Sequence, residues 1–276
     1  MKIAFFGAGN MGSAIVGAAI ESGAVLSKDI LVYDRYRPAA EKLEEKYQIC
    51  VSQSAAAAAA VAEILFIAVK PNIVPALLEE IRTEAVKSGK YIVSIAAGVK
   101  VETYTGLLEN TVKLVRTIPN MPAMVREGVT GIYFHNFTDA EQDQAAQAFI
   151  LDMFSSFGRN VVVTREDLID GMVAVTSSSP AYVCLMVEAM ADAAVMAGFA
   201  RKDAYIMAEQ AVLGTAKLML DRSIHPAVLK DQICSPAGTT IEAVASLEES
   251  GFRSSLIRAM EACRQKTLAL GRKDNP

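Results

Sequence analysis

A short apolar run, Lys2-Ile3-Ala4-Phe5-Phe6, stops at Gly7-Ala8-Gly9-Asn10-Met11-Gly12, and a helical pattern follows over residues 13–22. Few folds accept this order. G-x-G-x-x-G between a strand and a helix is the dinucleotide-binding arrangement, and each glycine has its own role. Gly7 permits the tight turn, Gly9 lets the backbone approach a pyrophosphate, and Gly12 lets the helix pack close to the sheet. The spacing alone is weak; its place between a strand and a helix gives it weight.

The next strand, 30–33, ends at Asp34. That puts an acid about 20 residues past the glycines, where the ribose hydroxyls of NAD are read. Arg35 and Arg37 follow directly, and guanidinium groups suit a ribose 2′-phosphate. The two signals conflict, so NADPH and NADH both stay open, with a lean to NADPH.

Strands and helices go on alternating. Pro38 opens a helix to residue 47, and an alanine-rich helix at 55–60 precedes the most apolar strand, 64–69. Lys70-Pro71-Asn72 ends that strand at the edge where open α/β sheets bind ligands. A helix at 73–87, a strand at 91–95 and a strand at 113–116 follow, then the extended loop Thr117-Ile118-Pro119-Asn120-Met121-Pro122. Late strands at 131–134 and 160–164 flank a helix at 139–157. The pattern predicts an α/β Rossmann domain with a mostly parallel sheet over residues 1–163.

From Arg165 onward no strand is evident, which predicts an all-α domain over residues 164–276. Helices are expected at 167–176, 181–196, 203–220 (capped by Asp203), 226–234 (entered at His225) and 253–270. The helix at 181–196 is apolar on nearly all sides and should be buried, in a core and at a subunit interface. Met186, Met190, Met196, Met207 and Met219 read as core filling.

Composition narrows the function. The 276 residues carry 27 basic and 31 acidic side chains, a net charge of −4 with no long basic run, which argues against nucleic acid or an anionic membrane as partner. Apolar runs are short and interrupted, so no transmembrane helix or signal peptide is expected. Four scattered cysteines suit a reduced, cytoplasmic protein, with Cys234 read as a buried structural thiol. Two distant histidines, His135 and His225, leave no metal site and no His-based triad.

A second stretch stands out near the C-terminus: Asp231-Gln232-Ile233-Cys234-Ser235-Pro236-Ala237-Gly238-Thr239-Thr240-Ile241-Glu242. Pro236 and Gly238 end one helix, and Thr239 and Thr240 offer N-cap hydroxyls to the next. A helix start leaves N–H groups unpaired at the positive end of the dipole, a place for a carboxylate or phosphate.

The cofactor motif implies hydride transfer, yet the usual proton donors are missing. There is no Tyr-x-x-x-Lys and no Lys-x-x-Asn on a long helix. Reduction of a carbonyl needs an acid for the developing alkoxide. A protonated imine is already electrophilic. Such a site needs a nicotinamide, an anion pocket and one hydrogen-bonding group near nitrogen, and the turn at 235–240 offers the last two.

With these motifs in place, the chain resembles the pyrroline-5-carboxylate reductase family, which completes proline synthesis. The resemblance covers essentially the full length. It rests on Phe6 to Gly12, Ala68-Val69-Lys70-Pro71, Arg116 to Pro122, Ser178-Ser179-Pro180-Ala181-Tyr182 and above all Lys230 to Ile241. It implies NAD(P)H-dependent reduction of 1-pyrroline-5-carboxylate to L-proline, a homodimer with interlocking helices whose active sites draw on both subunits, and rings of dimers, often decamers. It further implies that amides of Ser235, Gly238 and Thr239 hold the substrate carboxylate and that Thr240 hydrogen-bonds the ring nitrogen. Gly7, Gly9, Asn10, Met11, Gly12, Asp34, Arg35, Val69, Lys70, Pro71 and Asn120 would hold the cofactor.

Three departures from the family pattern stand out. Ala237 replaces a glycine and fits only if its φ is negative. Ser177 and Ser179 stand where glycines are usual, and Asp34 stands where NADP-dependent members often carry a neutral residue. Two other readings remain: a reductase of a related imine acid, separated by pocket volume alone, and a non-catalytic dinucleotide sensor.

Overall fold

The computed structural model describes residues 1–272. Two compact units emerge: Met1–Ser177 together with the stretch from Arg264 onward, and Ser178–Cys263. The sequence reading puts the change from mixed to helical structure at 163/164; compactness divides the chain later, because the helix at Asp167–Met172 still packs on the sheet.

The first unit opens with β1 (Ile3–Phe6), every residue of it buried, and α1 (Asn10–Glu21). Then come β2 (Ile30–Tyr33), α2 (Arg37–Tyr47), β3 (Cys50–Val51), α3 (Ala55–Val61), β4 (Ile64–Ile67), α4 (Val74–Ala85) and β5 (Tyr91–Ser94). The unit continues through α5 (Val101–Leu107), β6 (Lys113–Ile118), β7 (Gly128–His135), α6 (Glu141–Ser155), β8 (Gly158–Val162) and α7 (Asp167–Met172). The eight strands form one sheet in the order β3-β2-β1-β4-β5-β6-β7-β8, parallel except where β7 runs against β6. The chain leaves β1 toward β2 on one side and returns to β4 on the other. That reversal opens a crevice at the carboxyl ends of β1 and β4.

Both sheet faces are covered, which is why β1, β4 and β5 read as continuous apolar runs. One face packs α1, α2 and α6 through Ile15, Leu43 and Phe154; the other packs α3, α4 and α5 through Ala58, Leu78 and Tyr104. In α3 the methyl groups of Ala55, Ala58 and Ala59 are buried, so this helix is alanine-rich to lie close to the sheet.

Several boundaries shift for identifiable reasons. α1 starts at Asn10 rather than residue 13, because Gly9 itself is the cap. β7 begins three residues early, where Gly128 donates its N–H to Phe157 O at 3.0 Å. The two-residue β3 and the short α5 leave no periodic signal and were not expected.

An ion-pair cluster ties α6 to the sheet. The Asp143 carboxylate is fully buried and accepts from Thr138 N (2.9 Å), Thr138 Oγ1 (2.7 Å), Tyr91 Oη (3.0 Å) and Lys113 Nζ. Burial pushes this carboxyl up, but the four donors outweigh it and hold it at about 2, below its ordinary 3.8. A carboxyl depressed in the folded state adds stability above its unfolded pKa and loses it as pH falls through the folded one. Between about pH 5 and pH 2 the protein should lose about 2 kcal/mol from this group alone. Urea titrations at stepped pH check this: Asp143→Asn should remove that increment, and parallel curves for both proteins would show that the cluster is not its source.

The second unit is helical: α8 (Ser179–Met196), α9 (Arg201–Arg222), α10 (Pro226–Ile233), α11 (Thr239–Glu249) and the first half of α12 (Phe252–Arg272). His225 does cap α10, its Nδ1 accepting from Ala227 N at 3.2 Å. Asp203 is not a cap: α9 starts at Arg201, and Asp203 sits in its first turn, where a negative charge favours the dipole.

The burial expected of α8 does not occur within one chain. Leu185 is 66% and Met196 89% exposed, and Met190 and Met207 are also at the surface. Buried apolar residues in this unit are Ala191, Ala204, Ala208 and Leu229. By length and composition alone, the helical run Asp167–Met196 could cross a membrane, with a mean hydropathy of 1.3 over its most apolar window. That differs from the sequence reading, and the matter turns on what covers this face.

Candidate active site

The glycine turn is built as its spacing demands. Gly7 has φ +110°, and a Cβ there would lie 2.7 Å from Ala68 O, so β1 and β4 approach too closely for any side chain. A Cβ at Gly12 would lie 2.4 Å from Gly7 O. Gly9 differs: φ is −71° and nothing lies within 4 Å of a Cβ. Its missing side chain serves the open space in front of the turn. Asn10 and Met11 begin α1, so their N–H groups belong to the first turn, which has no intrahelical acceptors. The arrangement suits a pyrophosphate.

Asp34 is drawn into this turn. Its Oδ2 accepts from Ala8 N at 2.6 Å and its Oδ1 from Tyr36 N at 2.8 Å. The acid thus braces the glycine turn against the end of β2, a role the sequence does not show. Arg35 is exposed, with Glu80 at 4.0 Å, and Arg37 pairs with Glu41 at 2.8 Å. Val69, Lys70 and Pro71 follow β4 directly, and Val69 N would be 3.0 Å from a Gly7 Cβ. The fold therefore gathers Gly7 to Gly12, Asp34 and Val69 to Pro71 at one corner.

Asn120 spends its side chain on the protein itself. Its Oδ1 accepts from Val129 N at 2.9 Å and its Nδ2 donates to Thr176 O at 3.0 Å, with the residue buried. Both ends of the amide are used on backbone, so Asn120 braces the loop rather than offering its side chain to a ligand.

A cleft of about 770 Å³ also opens beside the turn, lined by Ala8, Gly9 and Asn10 and then by Tyr36, Lys42 and Lys46. It shares the pyrophosphate corner but runs along α1 and α2.

In the second unit, α10 ends at Ile233, and Gly238 is the cap of α11. Thr239 and Thr240 are the first helical residues and do not cap it; α11 has no side-chain cap. The Gly238 N–H turns back to Ser235 O at 3.1 Å, so that amide is already engaged, while those from Thr239 onward belong to the first turn of α11, which has no intrahelical acceptors. A Cβ at Gly238 would lie 2.2 Å from Ser235 Oγ and 3.1 Å from Ser235 O, so a side chain here would make the serine hydroxyl rotate away. Thr240 is half-buried and Thr239 exposed. Cys234, expected buried, is also half-buried, and all four cysteines are free thiols.

Ala237 has φ +54°, so the condition of a negative φ fails. The left-handed region costs a residue with a Cβ about 1–2 kcal/mol, and glycine gives part of that back through unfolded-state entropy. Ala237→Gly should therefore stabilise the protein by about 0.5–1 kcal/mol, seen as a raised Tm at fixed protein concentration. A lowered Tm would mean the methyl group has contacts worth more than the strain. At the other departure, Val173–Ser177 forms a π-helical turn before α8. Ser177 Oγ is buried there and has no partner among the described residues, while Ser178 Oγ lies 3.2 Å from Cys263 Sγ.

A doubly covered sheet with a phosphate-cradling turn, followed by a helical unit with an anion-ready helix start, defines a dinucleotide-dependent oxidoreductase of two domains. Residues 166–270 match the family description "Pyrroline-5-carboxylate reductase dimerisation", and residues 2–98 match "NADP oxidoreductase coenzyme F420-dependent". The pyrroline-5-carboxylate reductase of Escherichia coli K12 is 43% identical over 271 residues, covering 98% of each chain. The solved reductase of Coxiella burnetii superimposes with a TM-score of 0.91 at 30% identity over 98% of both chains. That of Plasmodium falciparum, solved with NADP bound, gives 0.83 at 27% identity and the same coverage. The chain belongs to the pyrroline-5-carboxylate reductase family.

Proposed function

We propose that this chain reduces 1-pyrroline-5-carboxylate to L-proline with NADPH or NADH, holding the substrate carboxylate at the start of α11. The observation that carries this reading is the α11 entry itself. Its side-chain cap is missing, Gly238 closes the turn, and the N–H groups from Thr239 onward face outward at the positive end of an 11-residue helix.

A reduced nicotinamide, when bound, supplies the hydride, which adds to the imine carbon. The remaining work falls to the chain. Gly9, Asn10 and Met11 hold the pyrophosphate, Gly7 and Gly12 shape its turn, and Val69, Lys70 and Pro71 line the path beyond. Ser235 shapes the anion pocket through its contact with Gly238. Thr240 hydrogen-bonds the ring nitrogen, which ends as a secondary amine and takes its last proton from solvent. Asp34 disfavours a 2′-phosphate and Arg35 attracts it, so the cofactor ratio reports which dominates.

The dimerisation match and the exposed apolar face of α8 support assembly of this chain with itself as a homodimer, with rings of dimers as the larger form. The free thiols support a reducing, cytoplasmic setting. The deciding experiment follows oxidation of NADPH and NADH, in parallel, with 1-pyrroline-5-carboxylate. Turnover with either supports the reading. Cofactor binding with no turnover, on this substrate and on a six-membered cyclic imine acid, would leave a sensor.

A further inference from the structure

The strand register places Phe6, Ile67 and Ser94, the last residues of β1, β4 and β5, side by side with Arg116, two residues before the end of β6. Arg116 follows Leu114 and Val115 in β6 and is 3% exposed, a buried charge in the middle of the strand. Its guanidinium meets Glu166 Oε1 through Nη1 and Asp170 Oδ1 at 2.9 Å through Nη2. Glu166 also holds backbone, since the same Oε1 accepts the N–H of Val101 at 2.7 Å, at the first residue of α5. The other end of the β5–α5 loop is pinned as well. Ser94 Oγ shares a hydrogen with Tyr104 Oη at 2.5 Å and accepts from Ala96 N at 3.2 Å, while Thr117 Oγ1 donates to Ser94 O at 3.1 Å.

These bonds bracket one short segment, Ile95 to Lys100: Ser94 is held at its entry, Val101 at its exit, and Ala96 N within it. It leaves β5 at the edge that binds ligands, turns through Gly98 at φ +78°, and enters α5. A segment that merely linked a strand to a helix would not need a buried arginine with two carboxylates to hold its exit. From this geometry we infer that Arg116 and Glu166 are positioning residues for hydride transfer: they fix the 95–100 loop as the wall against which the nicotinamide end of the cofactor is held. The inference rests on the oxidoreductase reading above. A loose wall lets the ring wander from its attack geometry, and small misplacements cost large factors in rate.

The test compares Glu166→Ala, Glu166→Gln and Val101→Pro with wild type. The first removes the acceptor and leaves Asp170 to hold Arg116. The second keeps a carbonyl for Val101. The third deletes the donated N–H at a helix position that tolerates proline and trades the buried valine side chain for a proline ring, a packing change that the Tm comparison reads. Glu166→Ala and Val101→Pro should lower kcat by about tenfold to a hundredfold. KM for the imine acid should stay within about twofold, and the primary isotope effect with deuterated NADPH should rise as hydride transfer becomes limiting. Glu166→Gln should recover most of the rate. Wild-type kcat and isotope effect in Glu166→Ala and Val101→Pro would overturn the assignment, as would losses that track Tm alone.

Hydrogen exchange separates this inference from the function. Bound NADPH should protect amides 95–101 in wild type and fail to do so in Glu166→Ala, whatever imine the enzyme reduces. Equal protection in both would count against the clamp even if turnover failed for another reason.

Discussion

Gly9→Val should lose dinucleotide binding by at least about a hundredfold while the chain still folds. The two effects separate because of where the three glycines stand. A Cβ at Gly7 or Gly12 meets backbone oxygen at 2.7 or 2.4 Å, so substitution there damages the turn itself. At Gly9 the backbone lies in an extended region open to valine, and no atom stands within 4 Å of the new carbon. The fold loses only the difference between a glycine and a β-branched cap, about 1 kcal/mol. The ligand loses much more. Valine occupies the space a phosphate needs, and each amide bond to a charged oxygen is worth about 1.5–3 kcal/mol. Losing two of them exceeds the roughly 2.8 kcal/mol that corresponds to a hundredfold. Fluorescence titration with NADPH, beside a thermal melt, reads both quantities. Retained affinity in a folded variant would sink the assignment of the pyrophosphate to this turn.

Thr240→Ala should lower kcat/KM by about tenfold to a hundredfold, the equivalent of one hydrogen bond to a charged group at roughly 1.5–3 kcal/mol. The side chain sits at the second residue of α11, where it caps nothing. Alanine is also the better helix former, so the helix should not suffer. Thr240→Ser keeps the hydroxyl and should stay within a few-fold of wild type. If alanine turns over like threonine, the nitrogen is oriented by some other group. A fall that serine shares would point to lost packing of the methyl group instead.

The geometry of the glycine turn was legible in the sequence because glycine chemistry is local. A tight turn, a close helix and an open approach each exclude a side chain at a fixed position, and those exclusions survive in one dimension. The role of Asp34 was only half legible. Its spacing predicts a ribose contact, but its bonds to Ala8 and Tyr36 depend on how β1 and β2 lie side by side. The side-chain bonds of Asn120 were hidden for the same reason, since Thr176 stands 56 positions further along the chain. The helix α5 was missed because Val-Glu-Thr-Tyr-Thr-Gly-Leu is a poor helix sequence. It is held by tertiary means, the buried Tyr104 and the carboxylate of Glu166. One signal for that clamp was visible: acids at 166 and 170, one helical turn apart, and an arginine directly after the apolar pair Leu114-Val115.

The near-absence of an interior in the Ser178–Cys263 unit has a bearing on how the protein behaves when scarce. Four small or medium apolar side chains cannot offset the chain entropy of about 85 residues. This half then gains its definition from mass action. Its midpoint of unfolding should climb with protein concentration. A freshly made chain would also finish folding only after a bimolecular encounter. Supply of active enzyme in a cell would follow something closer to the square of synthesis rate than its first power when copies are few.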